Sequence, residues 1–206
     1  MPSSLRAALG RIRNYLIAAL ILFLLGITIG AVATSQDPDA MLQAIETVAK
    51  QLQQLGEDIL SGPLGEGILL LFWHNLRTVL MMAVFGLALG IPAALGVLIN
   101  GVIIGVVGVL STQTAGIVPF LAGILPHGVF EIPALLIGAG VGLRLGLGPL
   151  LARRRSTFAT PAPATWQGYG WELREALRVL LFCALLLAIA AAIEVSITPR
   201  LIGLTL

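Results

Sequence analysis

The chain has 206 residues, of which 58% are hydrophobic and 11% charged, and its mean hydropathy is +1.01. That composition excludes an ordinary soluble domain and places the chain among polytopic membrane proteins. The formal charge is only +2, and the arginines flank apolar runs as topology signals, so nucleic acid is excluded as a partner class.

The first residues are basic, with Arg6, Arg11 and Arg13 and no acid. An apolar run over 15–34 follows and is read as a retained first span with a cytoplasmic N-terminus. It is longer than the apolar core of a signal peptide, although Ala31-Val32-Ala33 resembles a cleavage site. Between Gln36 and Glu66 the chain turns acidic: Asp37, Asp39, Glu46, Glu57, Asp58 and Glu66 stand against a lone Lys50. Asp37 or Asp39 can cap a helix predicted over 38–61. Met41, Ile45, Val48, Leu52, Leu55 and Ile59 recur at heptad spacing along it. This external amphipathic helix either lies on its own membrane domain or meets a second copy or a partner. Its acidity excludes binding to anionic lipid.

Spans are predicted over 68–89 and 91–110, joined so closely that they form a helical hairpin. The apolar stretch from Ile117 to Leu151 is too long for one ordinary span and too short for two. Pro126 and Gly128 divide it into a re-entrant half-helix over 117–125, about 14 Å long, and a fourth span over 127–150. Arg153-Arg154-Arg155 ends that span. A cytoplasmic loop over 152–172 follows, with Trp166, Tyr169 and Trp171 suited to a membrane interface. The last span covers 176–198. Five crossings put both basic segments on the cytoplasmic side and the acidic segment outside. Arg144, near the inner end of the fourth span, can snorkel to the headgroups.

With this topology His74, Asn75, Arg77, His127, Glu131 and Glu194 share one outer-leaflet layer. His127 and Glu131 are four apart and share a helix face. Three readings of this cluster stay open. Arg77 pairs with Glu131 or Glu194 and the histidines only hydrogen-bond, which ties the bundle together. Alternatively the groups line a polar cavity for a proton, ion, small solute or partner segment. In the third reading His74, His127 and Glu131 supply a two-histidine, one-carboxylate metal set, although no HExxH signature exists. Asn100, in mid-membrane, needs a partner for its amide on another helix.

Glycines spaced by four, such as Gly101/Gly105 and Gly138/Gly142, mark stripes where helices approach closely, with a homodimer seam among the uses of such stripes. Gly128 belongs with these packing positions. The single cysteine, Cys183, excludes a disulfide framework or thiolate metal cluster. No phosphate loop, dinucleotide fingerprint, serine nucleophile motif or catalytic carboxylate pair is visible. No catalytic residue and no cofactor are expected, and an enzyme is not the expectation. A conventional transporter is disfavoured by the lack of an obvious inverted repeat.

Asn75 with Arg77, then Asn100-Gly101 with Gly105, then Pro126-His127-Gly128 with Glu131 and Ala134, resemble the stage II sporulation protein M family, over about residues 66 to 150 and the final span. The Pro-His-Gly-x-x-Glu element is the most specific part. The resemblance implies a polytopic membrane scaffold for envelope-remodelling enzymes, with relatives also in bacteria and archaea that form no spores. The expectation is therefore an all-α membrane bundle in the cell membrane: five spans, a re-entrant half-helix and an external amphipathic helix. Its partners are the lipid bilayer, a second copy of the chain, and envelope proteins reached through the external helix. The leading function is a scaffold. A small transporter or channel using His127 and Glu131 is the alternative, and an intramembrane metal-dependent hydrolase is third.

Overall fold

The computed structural model describes residues 5–155 and 166–205, with side chains described outside positions 52, 60 and 149–173. Among these residues there are only helices: α1 Leu5–Arg11, α2 Arg13–Gln36, α3 Pro38–Ala44, α4 Glu46–Ser61, α5 Leu64–Phe85, α6 Ile91–Ala115, α7 Ile117–Arg155, α8 Trp166–Ser196 and α9 Thr198–Gly203. Five of them (α2, α5, α6, most of α7, and α8 continued by α9) are long and apolar enough to cross a membrane. Their outer faces carry Ile21, Leu24, Leu69, Trp73, Leu181 and Leu185, each more than half exposed. So much outward apolar surface suits hydrocarbon rather than water as the surrounding solvent.

The core is built of small and β-branched residues: Ala19, Val79, Ala83, Ala93, Val97, Ala134, Ala139 and Val179 are almost fully buried. Small side chains let backbones come close, which is how helices associate where no hydrophobic force separates them from lipid. A Cβ on Gly101 would collide with the Phe23 carbonyl, and one on Gly105 with the Ile27 carbonyl. From the other side, Gly26 and Gly30 face the carbonyls of Leu98 and Val102. Helices α2 and α6 are thus in backbone contact. Gly138 packs on Val79 and Gly142 on the Met82 carbonyl, which brings α7 equally close to α5. These stripes are taken up within one chain.

Several boundaries differ from the sequence expectation. The second span ends at Phe85 rather than at 89: residues 86–90 form the hairpin turn, with Leu89 at φ 57° and Gly90 at φ 73°. Gly86 and Gly90 rest against Gly146 of α7, so the turn is held by tertiary contact. The third span continues past the expected end at 110 to Ala115, through Ser111, Thr112, Gln113 and Thr114. The half-helix over 117–125 is not a separate element. Residues 117–155 form one continuous helix of 39 residues, about 58 Å long and far more than a hydrocarbon core requires. Pro119 sits in its first turn, where no donor is lost, and Pro126 and Pro133 are accommodated inside it. Neighbouring helices make such prolines tolerable in membrane proteins.

The helix expected over 38–61 is two helices, with a break at Ile45. Asp37 caps the first of them, accepting from the Ala40 amide at 2.9 Å. Met41, Ile45, Val48, Leu55 and Ile59 are half-buried, while Asp37, Asp39, Glu46, Glu57 and Asp58 are exposed. Val48, Leu55 and Ile59 of the seam face the chain's own bundle; the side chain of Leu52 lies outside the described set. The loop expected over 152–172 is shorter, because α7 runs to Arg155 and α8 starts at Trp166. Positions 156–165 lie outside the described residues, as do the side chains of Arg153, Arg154, Arg155, Trp166, Tyr169 and Trp171.

Helix α1 folds back on the start of α8. Ala8 and Ile12 are buried there, and Arg11 donates to both carboxylate oxygens of Glu175. Arg144 Nη1 stands 3.6 Å from Glu175 Oε2. The expectation that Arg144 snorkels to headgroups is corrected: a buried carboxylate, Glu175 at 2% exposure, holds it inside the bundle. This contact also brings the N-terminal helix and the beginning of α8 to one end of the molecule.

Candidate functional site

The other end of the spans encloses a chamber of about 490 Å³. Helix α5 contributes His74, Asn75 and Thr78, α6 contributes Asn100, α7 contributes His127 and Glu131, and α8 contributes Glu194. Helix α4 closes one side with Val48, Gln51, Leu55 and Ile59, which is where the heptad seam is used.

Local helix geometry sets up the α7 pair. A spacing of four puts His127 and Glu131 on one face, and His127 Nε2 lies 3.9 Å from Glu131 Oε2. Tertiary packing adds Glu194, whose Oε2 is 3.8 Å from the same nitrogen. One ligating atom from each of the three residues falls within 4.8 Å of the other two. The separations from the imidazole exceed a hydrogen bond, so the three groups gather around a point without closing on one another. The remaining ring nitrogen, Nδ1, has Thr198 Oγ1 at 3.5 Å, which turns Nε2 toward the carboxylates.

Six of the seven sequence-singled polar residues line this chamber, and Arg77 does not. Arg77 opens instead onto a neighbouring groove of about 800 Å³ shared with His74, Gln51 and Asp58. Its expected ion pair with Glu131 or Glu194 is absent among the described residues, because its position on α5 turns it toward the α4 side. The metal set expected from His74, His127 and Glu131 is likewise corrected: Glu194 takes the place of His74. His74 lines the chamber but is not one of the three residues whose ligating atoms gather. Asn100 needs no other helix, since its Nδ2 donates to the Gly96 carbonyl at 2.9 Å, one turn back on α6. Asn75 Nδ2 is the reverse case, buried and without a partner.

Of the five glycines assigned to packing, Gly101, Gly105, Gly138 and Gly142 meet other helices. Gly128 does not, since an added Cβ would touch only Ile124 and Ile132 of its own helix at ordinary distances. Sequence reasoning missed Glu175 altogether. A lone acid between Arg174 and Arg178, just before an apolar span, was its available signal.

The family model for Stage II sporulation protein M matches residues 19–199, which reach into all five spans and include all of the chamber residues. The chain belongs to the stage II sporulation protein M family. The sporulation protein M resemblance expected over 66–150 and the final span thus extends back into the first span. Among relatives, the uncharacterized protein MJ0793 of Methanocaldococcus jannaschii is 30% identical over 62% of this chain and 68% of its own length. The uncharacterized protein MJ0706 of the same organism is 27% identical over 65% of this chain, which spans 57% of that relative. No solved structure matches. Five apolar helices and membership in this family make the chain a multi-pass membrane protein.

Proposed function

We propose that this family member is a non-enzymatic scaffold of an envelope-remodelling or membrane-assembly complex. The observation that carries the reading is the backbone-to-backbone contact along the α2–α6 and α5–α7 stripes. Rocking one half of the bundle against the other, as alternating access requires, would separate those contacts. A frame this closely packed is suited to holding partners in register. The exposed acidic face of α3 and α4 is the surface it offers them, and the apolar face of α4 is already engaged. The N-terminus is cytoplasmic and the acidic face external in the cell membrane, in keeping with the positive-inside rule. Self-association belongs to the same reading, with its seam outside the glycine stripes.

Cross-linking in native membranes tests this. Asp39→Lys, Glu46→Lys and Glu57→Lys together should remove a defined complex with envelope-remodelling enzymes and leave the bundle's melting temperature unchanged. An identical cross-linking pattern would reject the acidic face as the contact. The chamber favours a second reading, a small transporter or channel lined by His127 and Glu131. Solute or proton flux in liposomes that vanishes with Glu131→Gln would replace the scaffold with that one.

A further inference from the structure

The chamber presents two carboxylates to one imidazole, and among the described residues neither Glu131 nor Glu194 has an arginine or lysine within ion-pair distance. Two negative groups facing each other in a medium of low dielectric repel strongly. A single divalent cation at their centre would neutralise both and would accept the imidazole nitrogen as a third ligand. We propose that His127 Nε2, Glu131 and Glu194 bind one divalent transition-metal ion with the chemistry of Zn²⁺.

Three further features support an ion rather than a closed polar contact. The imidazole-to-carboxylate separations are 3.8 and 3.9 Å, too long for a hydrogen bond. Metal–ligand bonds of about 2.0–2.2 Å place tetrahedral ligands roughly 3.4 Å apart, so small rotations of the two Glu side chains complete the geometry. Thr198 at Nδ1 is the outer contact that fixes a ligating histidine's orientation. Asn75 Nδ2, on the wall of the same chamber, is a buried donor without an acceptor. A water on the ion's fourth position would supply an acceptor there, and the chamber has the volume to hold it. The nitrogen ligand selects against Mg²⁺ and Ca²⁺, which take oxygen.

Binding of this ion does not depend on the scaffold role and is tested apart from it. The full chain is purified in detergent, stripped with chelator and titrated calorimetrically with Zn²⁺. The expected result is one ion per chain, with affinity falling about 100-fold or more in His127→Ala and about tenfold or more in Glu194→Gln. His74→Ala should bind as the wild type does, since His74 lies outside the triad. The wild type alone gives a second readout, independent of whether the variants fold. Co²⁺ should show visible bands of a nitrogen–oxygen site, and Zn²⁺ should raise the melting temperature in a concentration-dependent way. A substoichiometric wild-type titration would overturn the proposal, as would a thiolate charge-transfer band from Cys183, or Ca²⁺ binding as tightly as Zn²⁺. Unchanged affinity in His127→Ala would do the same.

Discussion

Near the start of α8, Glu175 is enclosed by Arg11 and Arg144; about 28 Å further along the same helix, Glu194 stands beside Glu131 with one imidazole close to both. Among the described residues, the first cluster sets two guanidinium groups against one carboxylate, so unlike charges meet and close. The second has two carboxyl groups beside one imidazole at 3.8 and 3.9 Å, too far to hydrogen-bond, around open space. A membrane protein has little water to screen either arrangement. The closed cluster therefore acts as a clasp, tying α1 to α7 and α8, while the open one has the form of a binding site.

The sharpest way to break this contrast is to remove the clasp. Glu175→Ala should destabilise the bundle by about 3 kcal/mol, since it removes the buried carboxylate that Arg11 and Arg144 both approach. Unfolding in a denaturing detergent titration measures it. A loss under about 1 kcal/mol, the range of a surface pair, would show that the clasp carries no such weight.

The glycine stripes should respond nearly as strongly. Gly142→Ala should cost about 1–3 kcal/mol by overpacking, because the new methyl meets the Met82 carbonyl and the Ala93 side chain. Gly128→Ala, which meets only its own helix, should be close to neutral in the same assay. Equal effects at the two positions would contradict the assignment of Gly142 to a helix contact and Gly128 to none.

Neutralising the open cluster should do least harm. Glu131→Gln or Glu194→Gln should change stability by less than about 1 kcal/mol in metal-free protein, since neither removes a closed ion pair. A loss as large as that of Glu175→Ala would make the two clusters alike and turn the chamber into a second clasp. At the small end, Gly56→Ala in α4 should stabilise by about 0.5–1 kcal/mol through helix propensity. Nothing lies within 4 Å of the added methyl, and hydrogen exchange of the α4 amides reads the change.

The polar layer was largely legible in the sequence because ionisable groups inside apolar runs are costly and conspicuous. His127, Glu131 and Glu194 could be picked out that way and assigned to one depth. Which of them face each other could not, because depth leaves the rotation of each helix undetermined. Arg77 illustrates this: its position in the span suggested a partner for the carboxylates, yet its azimuth on α5 sends it to the neighbouring groove. Glu175 was hidden for the opposite reason. It sits among arginines at a span boundary, where an acid is unremarkable until α1 folds back and buries it.

By itself the sequence determined the all-helical class, the apolar spans, an aspartate cap at Asp37 or Asp39 and the set of residues too polar for their surroundings. Each follows from local periodicity or from the cost of transferring a group out of water. Tertiary structure decided that residues 117–155 form one helix through Pro126, that the glycine stripes are satisfied within a single chain, and that Glu194 rather than His74 completes the triad. Those outcomes depend on how neighbouring helices approach and rotate, which no periodicity along one segment encodes.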